Sequence, residues 1–252
     1  MRRRKHRGKP ITGWLALDKP AGWTSVQAMA RARALLGAAK AGHAGTLDPL
    51  ATGCLPIALG HATKRIARVQ DQPKTYLFTV RWGVSTTTDD AEGEVMATSA
   101  TRPATEDIRA LLPRYTGEID QLPPQFSALK VEGQRAYALA RAGQEVALEP
   151  RKVMIHSLDL LAARPDEADF GAITGKGAYV RSLARDMGAN LGCGGHVTAL
   201  RRERVGPFGP EEMISLDTLA EMGQSAALPG GAVLPLSFVL DDIPAEDGTI
   251  DP

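Results

Sequence analysis

Residues 42–53 read Gly-His-Ala-Gly-Thr-Leu-Asp-Pro-Leu-Ala-Thr-Gly, and the apolar run Cys-Leu-Pro-Ile-Ala-Leu follows at once at residues 54–59. The apolar run predicts a buried strand. The glycines before it can adopt backbone angles that are closed to other residues, and Pro49 biases Asp48 toward an extended conformation. We therefore expect a stiff, irregular loop that is anchored by a strand and presents the Asp48 carboxylate.

Asp48 has two interpretations from its surroundings alone. An aspartate before proline in a glycine-rich loop is commonly turn chemistry or a helix cap. A carboxylate on a rigid scaffold also suits catalysis, because reacting groups must be held within a fraction of an ångström. The local spacing leaves both interpretations open.

The composition describes a globular chain. Its 252 residues suffice for one large domain or for a domain with an appendage, and 43% hydrophobic residues suffice for a core. Cys54 and Cys193 make neither a disulfide framework nor a zinc site, which favours reduced, cytoplasmic residence. The basic start lacks a following apolar region, no apolar stretch is long enough to span a bilayer, and the histidines show no ligand spacing. We expect no signal peptide, no membrane span, no metal and no cofactor.

Charge is strongly segregated, although the net formal charge is only +1. Residues 1–9 carry six Arg or Lys, and residues 211–252 carry nine acids and no Arg or Lys, which leaves +4 for residues 10–210. The part that contains Asp48 is therefore mildly basic, which fits a polyanionic partner such as RNA. A solubilising tail explains the basic arm at residues 1–9 equally well.

The order of elements predicts an α+β fold with a large mixed or mostly antiparallel central sheet flanked by helices, because strands come in runs separated by loops and a few helices. Strands are expected at residues 11–17, 54–59, 74–82, 94–98, 152–161, 170–174 and 197–202. Helices are expected from Thr24 or Ser25 to Gly37, and at residues 62–69, 105–112 and 215–222. A further helix is expected to follow the segment 176–181 and to run to about residue 191. We expect the first helix to bury Val26, Met29 and Ala30.

Four motifs resemble those of the TruB family of tRNA pseudouridine synthases. The first is the stretch around Asp48 with Ala-Thr-Lys at residues 62–64, and the second is Leu-Asp-Lys-Pro-Ala-Gly-Trp-Thr-Ser at residues 17–25. The third joins Lys74 and Tyr76 to Gly-x-x-Thr-x-Thr-x-Asp at residues 83–90. The fourth is Lys-Gly-x-Tyr-x-Arg at residues 176–181, followed by Leu-Arg-Arg at residues 200–202. Residues 174, 175 and 178 depart from the family, which commonly has Cys, Ser and Thr there.

The resemblance implies an enzyme that converts a T-loop uridine of tRNA, position 55 by convention, to pseudouridine. It implies the pseudouridine synthase fold, with the catalytic loop in a cleft across the sheet. Asp48 would act as a nucleophile, or as the base that removes a sugar proton, and the sequence leaves both roles open. Arg181 would pair with Asp48 and keep it ionised, since a nearby cation favours a charged carboxylate.

The resemblance also implies the residues that hold the substrate. The target nucleotide must leave the stack, at a cost of a few kcal/mol. His43 would fill the space that it leaves, Tyr76 would stack on the uracil, and Tyr179 and Leu200 would bound the ring. Aromatics in strands commonly belong to the core, and His43 has a turn hydrogen bond as an equally simple role.

The resemblance predicts three segments: a basic arm at residues 1–9, a catalytic domain at residues 10–210, and an acidic segment at residues 211–252 that leads into the start of a missing or truncated RNA-binding domain. Residues 121–151 would form an insertion that clamps the RNA stem-loop. The candidate phosphate contacts are Lys64, Lys130, Arg141, Arg151 and Arg202. Each is also explained as a plain surface charge. We expect a monomer.

Two competing functions remain from the sequence. A non-catalytic tRNA-binding or tRNA-folding module shares the basic surface and predicts binding without turnover. An aspartate-dependent phosphohydrolase requires a second carboxylate near Asp48 for magnesium, and the loop offers none.

Overall fold

A computed structural model describes residues 8–127, 130, 131, 134, 135, 148–224 and 231–239. Most of the predicted basic arm and most of the predicted insertion lie outside the described residues. The same is true of the end of the predicted acidic segment.

The described elements follow the predicted order closely. The strands are β1 (Gly13–Lys19), β2 (Ala41–His43), β3 (Thr52–Leu59), β4 (Lys74–Trp82), β5 (Val84–Thr86), β6 (Val95–Thr98), β7 (Gly117–Gln121), β8 (Lys130–Val131), β9 (Gln134–Arg135), β10 (Arg151–Ala163), β11 (Glu167–Thr174), β12 (Gly195–Val205) and β13 (Met213–Ile214). The helices are α1 (Ser25–Leu36), α2 (Ile66–Asp71), α3 (Thr105–Leu111), α4 (Val180–Asn190) and α5 (Leu216–Gln224). Short 3-10 helices occur at Gly60–Arg65, Leu112–Tyr115 and Leu236–Val239.

The main sheet is large and mixed, which confirms the predicted α+β class. Its hydrogen-bonded strand order is β13-β1-β3-β12-β4-β11-β10-β7, and β2 pairs with β3 outside this path. The pair β1/β13 is parallel. The pairs β1/β3, β2/β3, β4/β11, β10/β11 and β7/β10 are antiparallel. The predicted cleft across this sheet stays a prediction.

The described chain divides into two compact units, residues 1–72 with 204–252 and residues 73–203. In the first unit, the core surrounds the rings of Trp14 and Phe208, whose centroids lie 5.6 Å apart. Cys54 of β3 is fully buried in this core, because the strand is apolar on both faces. This division describes packing, and the predicted segment boundaries at residues 9 and 210 stay predictions.

In the second unit, β4 has the predicted alternation of faces. Phe78, Val80 and Trp82 are buried, while Leu77 and Arg81 on the other face are exposed. The ring of Phe78 stacks on that of Phe170 in β11, with centroids 5.3 Å apart. The strand pattern thus placed the core of this unit correctly.

The buried face of α1 differs from the prediction. The residues that pack inward are Ser25, Ala28, Ala32 and Leu36, whereas Val26 is 55% exposed. The buried face of α1 consists mainly of small residues, whereas Met29 is half-buried and Ala30 is exposed. Among the described residues, no helix is long and apolar enough to cross a membrane.

Candidate active site

Asp48 lies in the connection between β2 and β3, at residues 44–51, which we call the Asp48 loop. Asp48 is half-buried, whereas Leu47 beside it is 4% exposed. The loop closes on itself through the Ala51 N–H, which donates to the Asp48 carbonyl oxygen at 3.1 Å. Gly45 (φ 99°) and Gly53 (φ 97°) bracket the turn in the left-handed region. This irregular, strand-anchored loop has the form that the sequence predicted.

The turn at residues 19–25 holds the Asp48 loop on the N-terminal side of the carboxylate. The Ser25 hydroxyl accepts from the Leu47 N–H at 2.7 Å and donates to the Leu47 carbonyl oxygen at 2.9 Å. Ser25 is 2% exposed, so this reciprocal pair is shielded from water. The backbone immediately before Asp48 is therefore fixed by one side chain from α1.

A second clamp holds the loop on the other side of the carboxylate. The Pro49 carbonyl oxygen accepts from the Gly22 N–H at 2.8 Å and from the Lys19 ammonium at 3.2 Å. Lys19 is fully buried and also donates to the carbonyl oxygens of Pro20 at 2.9 Å and Trp23 at 2.6 Å. A buried ammonium is tolerated because backbone oxygens satisfy its donors.

Thr24 and Ser25, which the sequence offered as alternative caps of α1, have different roles. Thr24 caps α1 in a capping box: its hydroxyl accepts from the Gln27 N–H at 3.2 Å, and the Gln27 side chain accepts from the Thr24 N–H at 3.0 Å. This frees Ser25 to bind the Asp48 loop. Gly42 differs from expectation, because its φ is not positive; a Cβ there would lie 2.7 Å from Ile66 Cδ1, the end of a flexible side chain.

In the second unit, the Arg181 side chain is held in the first turn of α4. Its guanidinium donates to the carbonyl oxygens of Thr88 and Phe126, each at 2.9 Å. Its Nε lies 3.7 Å from Asp90 Oδ2, and both side chains are 4% exposed. A buried guanidinium with fixed partners has its direction determined before any substrate arrives. The predicted pairing of Arg181 with Asp48 stays a prediction.

Asp89 supports this region from a strained backbone position. Its φ is 60°, a left-handed angle that aspartate tolerates better than most residues. Arg185 of α4 donates to Asp89 Oδ2 at 3.0 Å. Burial raises the pKa of the Asp89 carboxyl above its ordinary value, while the Arg185 guanidinium opposes that increase. The turn that carries Asp90 is thus tied to α4 by two charged side chains.

The substrate-holding residues take distinct positions in their elements. Tyr76 is half-buried on the face of β4 whose other residues are buried, and it lies opposite Ala172 in β11. Leu200 is 8% exposed on β12. His43 is the half-buried last residue of β2 and lies opposite Ile57 in β3. Tyr179 immediately precedes α4 as its N-cap residue. The assigned roles of these side chains stay predictions.

Two family sequence models together match most of the chain. The model described as TruB family pseudouridylate synthase (N terminal domain) matches residues 33–180. The model described as tRNA pseudouridylate synthase B C-terminal domain matches residues 181–237.

The chain belongs to the TruB family of pseudouridylate synthases.

Curated TruB relatives are similar over most of the chain. A tRNA pseudouridine synthase B of Nitrobacter winogradskyi is 54% identical over 256 residues, which cover 97% of this chain and 71% of the relative. A tRNA pseudouridine synthase B of Sinorhizobium medicae is 56% identical over 221 residues, which cover 88% of this chain and 71% of the relative. These relatives confirm the resemblance inferred from the motifs, and the chain is an isomerase of this family.

Solved structures of related proteins confirm the pseudouridine synthase fold. A Cbf5-Nop10-Gar1 complex contains a chain 28% identical to this one, with a TM-score of 0.72, covering 92% of this chain and 63% of that chain. An H/ACA RNP bound to a substrate RNA containing 2′-deoxyuridine contains one 26% identical, with a TM-score of 0.70, covering 92% of this chain and 62% of that chain. This chain therefore spans less than two thirds of those two solved chains.

The candidate phosphate contacts of this TruB-family chain fall into three groups. Lys64 in the 3-10 helix and Arg151 at the start of β10 are exposed. Lys130 lies on β8, where only the backbone is described, and Arg141 lies outside the described residues. Arg202 is 2% exposed, and its predicted phosphate contact stays a prediction.

Lys19 and Ser25 hold the Asp48 loop, and both belong to the second TruB motif. That motif predicts a turn and a helix start that support the loop, but the sequence did not single out these two side chains. Both side chains bind the backbone on either side of Asp48. These contacts are visible only in the three-dimensional structure. The described residues bring together no group of three or more His, Cys, Asp or Glu side chains that could hold a metal ion.

Proposed function

We propose that this chain converts the T-loop uridine of tRNA, position 55 by convention, to pseudouridine. The glycosidic bond from N1 of uracil to C1′ of the ribose breaks, the detached ring turns, and a bond from C5 to C1′ forms. The hydrogen at C5 leaves as a proton, and N1 gains one, so the reaction is an isomerisation. No oxidant, reductant or second substrate is needed.

The observation that carries this proposal is the immobilised backbone around Asp48. Ser25 holds the residue before it, and Lys19 and Gly22 hold the residue after it. A loop needs no such double clamp to make a turn, whereas a reacting carboxylate requires fixed geometry. Asp48 then serves as the nucleophile at C1′ or as the base that removes a ribose proton.

The placements of the substrate residues support the roles that the family motifs suggest. Tyr76 is half-buried, whereas the other residues on its face of β4 are buried, and stacking on a uracil requires such partial exposure. Leu200 supplies apolar surface for the ring, and Tyr179 lies at the start of α4 beside Arg181. His43, at the end of β2, would fill the space that the extruded nucleotide leaves.

The tRNA itself is the proposed partner, and the chain acts as a monomer in the cytoplasm. Support comes from the net +4 of residues 10–210, and from the exposed Lys64 and Arg151 as phosphate contacts. The two cysteines are buried and form no disulfide with each other, which fits a reducing compartment. Neither cofactor nor metal enters the proposed reaction.

The test uses an unmodified tRNA transcript with tritium at C5 of uridine, incubated with the parent chain and with Asp48→Asn. Tritium release and RNA binding are measured on the same samples. Asp217→Asn is the matched control, because it makes the same chemical change at an exposed position in α5. We expect release by the parent and by Asp217→Asn, none by Asp48→Asn, and binding by all three.

The other outcomes would change the assigned function, the role of Asp48 or the target uridine. Binding without release by the parent contradicts catalysis by this chain and favours a tRNA-binding or tRNA-folding module. Release by Asp48→Asn at the parent rate removes Asp48 from the chemistry. Release from a transcript whose position 55 carries no tritium shows that another uridine is the target.

A further inference from the structure

Gln121 binds both backbone groups of Tyr179. The Tyr179 N–H donates to Gln121 Oε1 at 2.7 Å, and Gln121 Nε2 donates to the Tyr179 carbonyl oxygen at 3.1 Å. Gln121 is 2% exposed, and both hydrogen bonds are partly buried. A single carboxamide thus makes the two backbone hydrogen bonds that a neighbouring β-strand would make with one residue.

Tyr179 is the point at which an irregular segment becomes a helix. Gly177, two residues earlier, has φ 84° in the left-handed region, and Tyr179 is extended at φ −116° and ψ 117°. As the N-cap residue of α4, Tyr179 makes no side-chain cap hydrogen bond. Gln121 therefore binds the Tyr179 N–H at the position where helices commonly use their own cap, and it shares the Tyr179 carbonyl oxygen with the Leu183 N–H, which lies 3.2 Å away.

Gln121 itself is fixed by the sheet. It is the last residue of β7 and lies opposite Arg151 in β10. The carboxamide thus connects a rigid strand to the residue that begins α4. Arg181 follows two residues later, so the direction in which α4 starts also sets the direction of its guanidinium.

The residues after Gln121 continue the same contact with α4. The Leu122 carbonyl oxygen accepts from the Ser182 hydroxyl at 2.8 Å and from Arg185 Nη2 at 2.7 Å. The Phe126 carbonyl oxygen accepts from Arg181. Among these contacts, the pair made by Gln121 is the one that acts on Tyr179.

We propose that Gln121 is a positioning residue for pseudouridine formation. Its carboxamide fixes the main chain of Tyr179 and so aims the Tyr179 ring and the Arg181 guanidinium at the uridine. The inference rests on the proposed function of this site. Gln121 lies outside the catalytic motifs, and its proposed role is in the chemical step rather than in RNA binding. Loss of the carboxamide lowers the rate of the chemical step while the RNA still binds.

The test compares Gln121→Met with Asn190→Ala. Methionine keeps the length and volume of glutamine but cannot make either hydrogen bond. Asn190 is the matched control: its carboxamide lies at the other end of α4 and also donates two hydrogen bonds, to the Tyr115 hydroxyl at 2.7 Å and to the Asp186 carbonyl oxygen at 2.9 Å. Gln121→Ala is made as a second variant without the carboxamide.

Four quantities are measured on each variant. They are the single-turnover rate of tritium release at saturating enzyme, the affinity for the tRNA transcript, the melting temperature, and hydrogen exchange in the peptide that contains Tyr179. We expect Gln121→Met to bind RNA within about threefold of the parent and to lose between about tenfold and about a hundredfold in rate, as small misplacements of reacting groups do. Exchange at Tyr179 should accelerate in Gln121→Met and stay unchanged in Asn190→Ala.

The outcomes separate this inference from the proposed function. If the parent releases no tritium, the proposed function fails and the inference falls with it. If the parent is active and Gln121→Met retains the rate of Asn190→Ala, the inference alone is overturned. It is also overturned if Gln121→Met loses RNA affinity and rate in equal proportion, because that is the behaviour of a binding residue.

Discussion

The buried ammonium of Lys19 donates to the carbonyl oxygen of Pro49, 3.2 Å away, and so ties β1 to the residue that follows Asp48. Its other hydrogen bonds go to Pro20 and Trp23 in the turn that precedes α1. One charged side chain thus joins a core strand, a turn and the Asp48 loop. The cost of burying the charge is offset only while these carbonyl oxygens stay in place.

Replacing Lys19 by methionine should slow the reaction and destabilise the chain. The methionine fills the same space, but it takes the ammonium donor from the partly buried carbonyl oxygens of Pro20 and Trp23, whereas the Pro49 carbonyl oxygen keeps the Gly22 N–H. Each group left unsatisfied costs about 1–3 kcal/mol. We expect Lys19→Met to lower the single-turnover rate by about a hundredfold, since the Asp48 loop loses one of its clamps. Denaturant unfolding and tritium release measure the two effects. Lys40→Met, at an exposed position in the same unit, should change neither, and an equal effect in both variants contradicts the prediction.

Replacing Ser25 by alanine should reduce activity more than replacing Thr24 by alanine, although both destabilise the chain. Thr24→Ala removes the cap of α1, at about 1 kcal/mol. Ser25→Ala leaves the Leu47 N–H and carbonyl oxygen without their shared partner, at about 1–3 kcal/mol. Only the second change frees the backbone before Asp48. Single-turnover rates compared at matched fractions folded test this, and equal rates would show that Ser25 is merely a stability residue.

The sequence was sufficient wherever a local pattern decides the structure. The alternation of residues in β4 gave its buried face, because period two has one interpretation in a strand with one covered face. The extent of α1 followed from Thr24 and Gly37, its two caps. The motif around Asp48 predicted the irregular loop, and the motif is long enough to identify the family.

The sequence was insufficient wherever the partner of a residue is distant in the chain. The predicted buried face of α1 was wrong. Val26 and Met29 are more apolar than Ala28 and Ala32, but the two smaller residues are the ones that are buried, because they allow close packing. Gln121 gave no local signal, since its partner is 58 residues away. Arg202, a candidate phosphate contact, is buried, and its position in β12 gave no local signal of that burial. Such placements depend on tertiary contacts that no periodicity records.

The buried pair of Asp90 and Arg181 should contribute more than a shorter ion pair at the surface. Asp90 Oδ2 and Arg181 Nε are 3.7 Å apart with both side chains 4% exposed, and Asp90 also accepts from the Glu92 N–H at 3.0 Å and from the Thr88 hydroxyl. Asp90→Ala should lower the free energy of unfolding by about 3–5 kcal/mol, because it leaves a guanidinium buried without its charge partner. Calorimetry and denaturant unfolding measure this loss.

The control is Glu203→Ala, which removes the partner of Arg201. That pair is shorter, at 2.6 Å, but its side chains are 35% and 25% exposed. Solvent screening limits its contribution to about 0–1 kcal/mol. If the two variants lose the same stability, burial is not the factor that decides the strength of these pairs.

Asp169 should contribute stability only above the pH at which it ionises. Two hydrogen bonds from Arg164, at 2.6 and 2.7 Å, and one from Thr79 lower the pKa of the Asp169 carboxyl below its ordinary value of 3.8. Because the folded pKa lies below the unfolded one, the contribution is present above the unfolded pKa and is lost as the pH falls through the folded pKa.

We therefore expect Asp169→Asn to lower the free energy of unfolding at pH 7 by up to about 1 kcal/mol, a small value because the side chains of Arg164 and Asp169 are 45% and 33% exposed. The difference from the parent should shrink steadily below about pH 4. Urea unfolding of both proteins between pH 7 and pH 3 measures it, and Arg164→Met serves as the background in which Asp169→Asn should cost least. A difference that stays constant across this range would mean that the neutral hydrogen bond of Thr79, rather than the charge of Arg164, accounts for the stability that Asp169 contributes.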